Sequence, residues 1–480
     1  MRPVTLGQVA AWVDGRVVGS PDTVVGPDVL IDSRAVTPNA LFVALPGEHV
    51  DGHAYVGSAL AAGAGAALVQ RDTGTGPLVV VHDPLAALAA LGRTVLAEAS
   101  GLTVIGVTGS SGKTSVKDLL AQLLVPAGAT VAPYGSFNNE IGVPLTATRV
   151  GPGTRFLISE MGARGVGHIR FLCQIAQPDV AVVLNVGQAH LGEFGTPEVT
   201  AQAKGELVEA LGRGSQSAGR VAVLNADDHR VAGMADRSDA AVIWCAVGSD
   251  PGGDRAVWAA AVTSDDLDRH SFELHLRHAG GTEQHPVGLQ QPGRHQVANA
   301  VAAAGAALAC GLAGGQIAAG LASAHVVSRW RMELTERADG AMVLNDAYNA
   351  NPDSVRAAVR TLAVLGRRRG RRTIAVLGDM LELGPDGAAA HQAVGALVHE
   401  LGIDRLITVG PLSGAIADGA LDAGLGGDRV TVVQDKEVAG ELVAGELGPE
   451  HVVLIKASRG MGLETIADRL LRAEGSGAQP

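Results

Sequence analysis

The chain has 480 residues, 47% hydrophobic and 18% charged, with net charge −12. That length exceeds a single core and implies two to four domains, and the composition excludes a disordered chain. The acidic balance and 3% aromatic content argue against nucleic acid as a partner, and Cys173, Cys245 and Cys310 form neither a disulfide framework nor a zinc set. The N-terminal text lacks a signal-peptide core and no apolar run reaches 18 residues, so a cytoplasmic protein without membrane insertion is expected.

Residues 1–99 read as a small α/β unit. Its strands are expected at Val29–Ile31, Leu41–Leu45, Ala66–Val69 and Leu78–Val81, with a helix over Ala54–Ala62 ended by Gly63. Asp32-Ser33-Arg34 stands at a strand end, where a Ser-Arg pair is ordinarily turn chemistry.

Leu102–Leu120 is the most informative stretch. The apolar run Leu102–Val107 leads into Thr108–Gly112 and then into a helix opened by Lys113-Thr114-Ser115. Strand, glycine-rich turn and helix start make a phosphate-binding loop: backbone N–H groups converge, and the helix end adds partial positive charge. Gly109, Ser110, Ser111, Gly112 and Ser115 frame the phosphates, Lys113 reaches the outer ones, and the Thr114 hydroxyl suits Mg²⁺. Val107 stands where the common eight-residue form has its first glycine.

The following apolar runs, Arg155–Ser159 and Val180–Leu184, deliver Glu160 and the segment Asn185–His190 to the same sheet edge. A helix over Pro197–Leu211 carries Lys204, which is expected to face outward from its middle. Glu160, His190 and Lys204 behind a phosphate loop suit metal ligation or γ-phosphate orientation. Residues 215–290 read as less regular, with a strand at Val221–Leu224 and hairpin-like text at Ser271–His278, and Val297–Leu312 reads as a buried Ala-rich helix with Asn299 one turn in.

Beyond residue 328 a second α/β alternation begins, with strands at Ala341–Leu344, Thr373–Leu377, Leu406–Val409, Val430–Val433 and Val452–Lys456. It implies a doubly wound, Rossmann-like sheet. The amide-rich text Asn345–Asn351 precedes a helix opened by Pro352. The run Arg367–Arg372 reads as a solvated loop against an acidic background.

Taken together, IDSRAVTPNALFVALPGEHVDGH, TGSSGKTSVK, FNNEIGVPLT, SEMGARGVGHI, AQAKGEL, GRHQVANAVAA, RMEL, NDAYNANPDS, VLGDMLELG and KASRGMG resemble the Mur ligases of bacterial cell-wall synthesis. The resemblance covers nearly the whole chain. It implies an α/β protein of three domains: a UDP-substrate domain over 1–99, a central P-loop ATPase domain with a parallel sheet over 100–328, and a Rossmann-like domain over 329–480 that closes on ATP. The DNPR motif of members that add the third peptide residue is absent. NDAYNANP and VLGDMLELG are the text of members joining D-Ala-D-Ala to UDP-MurNAc-tripeptide.

The resemblance further implies ATP, with Lys113 on the β,γ-phosphates, one Mg²⁺ on Thr114 and Glu160, and a second served by His190 and a carbamylated Lys204. Asn299, Arg331, Asp346 and Asn349 match positions that hold adenine, phosphate and ribose. Ser33 and Arg34 match the UDP-binding pair, Asn138 and Asn139 a substrate-facing loop, and Asn351 the dipeptide side. Gln296 departs from the His-Asn pair of many members. A monomer is expected. The competing readings are another Mur-type ligase, a folate-glutamate ligase, a non-catalytic Mur-like binding subunit, or a P-loop kinase or regulatory NTPase.

Overall fold

A computed structural model describes residues 1–47, 50–187 and 195–472. Its strands fall into three larger sheets, in the order the sequence alternation implies. The first sheet runs Arg16–Val18, Leu78–Val80, Ala66–Val69, Leu41–Val43, Val29–Leu30; it is parallel except at its Arg16–Val18 edge. Ser33–Ala35 leaves its last strand as one 3₁₀ turn, capped by the Asp32 carboxylate accepting from the Arg34 amide. The helix expected over Ala54–Ala62 is divided into a 3₁₀ turn, Gly52–Tyr55, and an α-helix, Val56–Ala61.

The central sheet has nine described strands. Thr103–Thr108 lies inside it, between Phe156–Glu160 on one side and Val180–Val183 on the other. The chain therefore leaves the middle strand, adds a neighbour on one side and then on the other. This reversal opens a crevice at the carboxyl ends of the three strands, the place where such sheets bind ligands. All three strands are buried, as expected of parallel strands covered on both faces.

Residues 215–290 hold the expected strand from Val221 and the expected hairpin at Ser271–His278, and are otherwise more ordered than their sequence suggests. Val221–Asn225, Ala241–Val247 and Ala256–Ser264 extend the sheet in parallel, and Arg269–His278 and Gly281–Pro292 continue it antiparallel. The alternation of polar and apolar residues in SFELHLRH is that of a sheet with one wet face, as its hairpin-like reading implies. The Ala-rich helix His295–Ala309 covers the other side of this sheet. A Cβ on Gly305 would stand 2.8 Å from Cys245 Sγ and Val223 Cγ1, so small side chains let this helix lie close.

The third sheet runs Glu333–Glu336, Met342–Asn345, His451–Lys456, Arg372–Gly378, Arg405–Val409, Val430–Val433, parallel except at its first edge strand. The last described strand, His451–Lys456, thus inserts between the second and the fourth in this order. It brings Lys456 beside Asn345-Asp346 and Gly378-Asp379.

The run Arg367–Arg372 is not a solvated loop. Arg367–Arg369 finish the helix Pro352–Arg369, Gly370 closes it in the left-handed region, and Arg372 starts the next strand. Basic side chains suit the negative end of a helix. Arg368 donates to Ser264 O at 2.9 Å, and Arg369 pairs with Asp266 at 2.6 Å, so these arginines tie the third sheet's helix to a hairpin turn of the central sheet.

Among the described residues no helix is long and apolar enough to cross a membrane. In the third unit the helices Gly387–Glu400 and Gly414–Asp422 approach through glycines: a Cβ on Gly395 would stand 1.9 Å from Ile416 O, and one on Gly419 2.1 Å from Gln392 O. Backbone cannot yield as a side chain can. Gly395→Ala is expected to destabilise the protein by about 3 kcal/mol in urea unfolding, whereas Gly445→Ala, inside the helix Lys436–Glu446 where a Cβ meets nothing, is expected to stabilise it by about 0.5 kcal/mol.

Candidate active site

A cavity of about 910 Å³ opens where the three units meet. Its floor is the phosphate loop. The Ser111 amide donates to Asn185 Oδ1 at 2.9 Å and the Ser110 amide to Asn185 O at 3.1 Å; the Gly187 amide donates to Ser110 Oγ at 2.9 Å. The segment after Val180–Val183 thus pins the loop's hydroxyl side. Gly112, φ +82°, caps the helix Lys113–Leu124, and a Cβ there would meet Asn299 Oδ1 at 2.4 Å. Both its conformation and its space require glycine. Asn299 is itself held by Gln296, whose Oε1 accepts from Asn299 Nδ2 at 2.9 Å. In this chain Gln296 is the orienting partner of Asn299.

Lys113 Nζ donates to Gly109 O at 2.8 Å, curled back under its own loop. Desolvation lowers its pKa, Arg331 lowers it further, and Glu160 opposes both. Glu160 is the last residue of its strand rather than the residue after it. Its buried carboxylate accepts from Thr114 Oγ1 at 2.9 Å and from Asn138 Nδ2 at 2.8 Å. These are hard oxygen donors at the foot of a phosphate loop, the set that a small divalent cation takes.

Lys204 does not face outward: it is 4% exposed and lines the cavity. The helix Pro197–Glu209 packs on the central sheet, and Lys204 lies on its buried side with Ala203, Leu207 and Val208. Burial, with Lys113 nearby, pushes its pKa down to about 7. His190 lies outside the described residues.

The third unit closes the cavity from above. Asp346 Oδ2 takes an ion pair from Lys456 at 2.5 Å, and its Oδ1 accepts from the Met332 amide at 3.1 Å. Lys456, 2% exposed, also donates to Asn349 O at 2.8 Å. Arg331 lies over the Tyr348 ring at 4.1 Å, and Trp330 and Met332 on either side of it hold φ of +62° and +49°. Such strain at non-glycine residues persists where surroundings enforce it. Asn351 caps the helix Pro352–Arg369 through the Ser354 amide, 2.9 Å, and Asn139 accepts from the Gly142 amide, 2.9 Å; both also line the cavity.

The structure therefore brings Ser110–Ser115, Asn138, Asn139, Glu160, Lys204, Asn299, Arg331, Asp346, Asn349 and Asn351 to one cavity. Ser33 and Arg34 are not among its lining residues, although Ile31 is. Arg34 is exposed and paired with Asp32 at 2.8 Å. Sequence reasoning gave no role to Asn185, Lys456 or Tyr348. The signal for Lys456 was a lone lysine ending the apolar run VVLI, the same pattern that singled out Glu160.

His295, also in the cavity wall, is half-buried beside Lys456 and His270, and its pKa falls to about 4. Desolvation dominates, opposed by Asp346. Between about pH 4 and 6.5 the unfolded chain binds this proton and the folded one does not, so stability falls as pH drops through that window. His295→Gln is expected to flatten that part of the pH–stability curve by roughly 2–3 kcal/mol in denaturant titrations at pH 4.5 and 7.

Family models match all three units: "Mur ligase family, catalytic domain" at residues 28–96, "Mur ligase middle domain" at 107–307, and "Mur ligase, glutamate ligase domain" at 330–459. The UDP-N-acetylmuramoyl-tripeptide--D-alanyl-D-alanine ligase of Mycobacterium tuberculosis is 45% identical, covering 100% of this chain and 99% of that one. A crystal structure of MurF from Acinetobacter baumannii superposes with a TM-score of 0.84 at 29% identity, over 98% and 99% of the two chains. MurF from Thermotoga maritima, solved in complex with ADP, gives 0.76 at 28% identity over 94% and 98%. These comparisons give no support to carbamylation at Lys204. On full-length identity, and on models matching each of its three units, the chain belongs to the Mur ligase family.

Proposed function

We propose that the protein is the ATP-dependent amide ligase of peptidoglycan precursor synthesis that joins D-Ala-D-Ala to UDP-MurNAc-tripeptide, releasing ADP and phosphate. The observation that carries this reading is one cavity shared by a phosphate loop, a buried Thr114–Glu160 pair and a second nucleotide-type sheet edge bearing Asp346, Asn349 and Lys456. The name of the M. tuberculosis relative supplies the two substrates, and the ADP-bound T. maritima structure supports the nucleotide.

The tripeptide's terminal carboxylate oxygen attacks the γ-phosphorus of ATP as the bond to the β-phosphate oxygen breaks, giving an acyl phosphate and ADP. The amine of D-Ala-D-Ala, having shed a proton, then attacks the acyl carbon. The C–O bond to phosphate breaks, and the remaining surplus proton leaves as the amide forms. Such transfer needs alignment and charge neutralisation more than covalent help. Lys113 turns from Gly109 O to the β,γ-phosphates, and Arg331 approaches from the linker. Lys204, poised near pKa 7, takes up a proton as phosphate oxygens enter, since an opposite charge nearby favours the ammonium form. Asn299 faces the base, and Asp346 and Asn349 the ribose.

Thr114 and Glu160 would hold a Mg²⁺, which supplies neutralisation of phosphate charge when bound. The second ion implied at His190 and Lys204 rests on the resemblance alone, because an amine is no ligand for Mg²⁺. We read 1–99, 100–328 and 329–480 as UDP-substrate, ATPase and closing domains, a division that the grouping of the strands into three sheets supports, and Ser33 and Arg34, which do not line the cavity, as the UDP-binding pair.

Phosphate release from ATP and Mg²⁺ is expected to require both UDP-MurNAc-tripeptide and D-Ala-D-Ala, with a pentapeptide product by mass. Release dependent on a different amine would reassign the enzyme within the family, and tight UDP-peptide binding without release would make it a binding subunit. Lys113→Ala is expected to lower kcat by a factor on the order of 10³ while leaving UDP-substrate affinity within about threefold.

A further inference from the structure

The helix that begins at the phosphate loop carries, one turn further on, a buried pair that the reaction itself does not use. Lys117, 3% exposed, contacts Asp118 Oδ1 at 2.6 Å. Its Nζ also donates to Pro133 O and Gly135 O, each at 3.2 Å. These carbonyls belong to the segment leading to Phe137 and Asn138, which line the cavity. Asp118 turns the other way, and its Oδ2 accepts from the Ser328 amide at 3.2 Å. Gln122, one turn later, exchanges hydrogen bonds with the backbone of His325, 3.1 Å each way. One helix thus holds both the substrate-side loop and the linker to the third unit.

The same loop is gripped from the opposite side. Ser136 Oγ and the Tyr348 hydroxyl share a hydrogen bond, and Tyr348 is the residue on which Arg331 lies. Beyond the grip the loop delivers Asn138, whose Nδ2 donates to Glu160 and whose carbonyl accepts from the Gly162 amide at 2.8 Å. A Cβ on Gly162 would stand 3.0 Å from Asn138 Oδ1, so the fit there is close. Burying an ammonium is costly unless its hydrogen bonds are met, so Lys117 is specified where three oxygens converge and an apolar side chain would leave them unpaired.

We propose that Lys117 and Tyr348 are positioning residues that clamp the Pro133–Asn139 loop between the nucleotide helix and the third unit. In that role they set the loop's order, and through Asn138 the orientation of Glu160, according to nucleotide occupancy. Lys117 acts from the helix at whose start the phosphates sit. Tyr348 acts from the unit that brings Arg331 to them. Neither touches the reacting atoms.

The clamp is tested by hydrogen exchange over Val131–Asn139 in the full-length protein, with and without a non-hydrolysable ATP analogue and Mg²⁺. In the unsubstituted protein the analogue is expected to slow exchange of this segment at least about fivefold. Lys117→Met is expected to speed exchange there about tenfold and abolish the response, while analogue affinity stays within about threefold; Lys117→Arg restores part of both. Tyr348→Phe, a milder change that keeps the ring, removes the response and leaves basal exchange near normal. Unaltered exchange in both variants, or an equal rise across the whole central sheet, overturns the proposal. The kinetic consequence rests on the ligase reading: in Tyr348→Phe the KM for UDP-MurNAc-tripeptide rises about tenfold with the KM for ATP nearly constant. Failure of ligation in the unsubstituted protein would defeat the ligase reading and leave the exchange test standing, so the two failures are separable.

Discussion

Desolvation of cationic side chains gathered in one cavity is the constraint on which the rest of the structure depends. Lys113, Lys204 and Arg331 converge there: burial lowers the pKa of Lys113, opposed by Glu160 and aided by Arg331, and burial, with Lys113 nearby, lowers that of Lys204. Glu160 offers compensation to Lys113, but its oxygens already accept from Thr114 and Asn138. Such an arrangement costs free energy in the empty protein and is offset when a polyphosphate arrives. The site's geometry is that of a mould for an anion, and its specificity lies in what holds the three cations in place.

What holds them is strand order. The middle strand Thr103–Thr108 gives the loop, one neighbour gives Glu160 and the other gives Asn185, because the chain reverses direction across the sheet at that strand. The third sheet repeats the device, with Asp346 and Lys456 delivered by adjacent strands distant in sequence. Each of these two sheets delivers residues to the one cavity. The arginines at the end of Pro352–Arg369, tied to the Ser264–Asp266 turn, and the strained linker around Arg331 set how the halves face each other.

Much of this was legible from sequence where local chemistry is self-announcing. A strand, a glycine turn and Lys113-Thr114 at a helix start carry their own context, as do the amides of Asn345–Asn351 ahead of Pro352. Lys204 was misread because a lysine within AQAKGEL looks like a solvated helix charge. Its burial comes from packing of the helix face it shares with Ala203 and Leu207, which no short window records. The arginine run was misread for the same reason: its partners, Ser264 and Asp266, lie about a hundred residues away. The hairpin at 269–292 was legible in the polar–apolar alternation of Ser271–His278, whereas the strands Ala241–Val247 and Ala256–Ser264 before it were not. Asn185 and Tyr348 stood within noted segments, but their service to Ser111 and Ser136 is tertiary.

The central claim is that this cavity joins a carboxylate to an amine by first passing phosphoryl to the carboxylate. The most direct measurement is the fate of oxygen. UDP-MurNAc-tripeptide labelled with ¹⁸O in its terminal carboxylate is turned over with ATP, Mg²⁺ and D-Ala-D-Ala, and the released phosphate is weighed by mass spectrometry. The account predicts one ¹⁸O transferred to phosphate for each amide formed. Amide formation with unlabelled phosphate would contradict it.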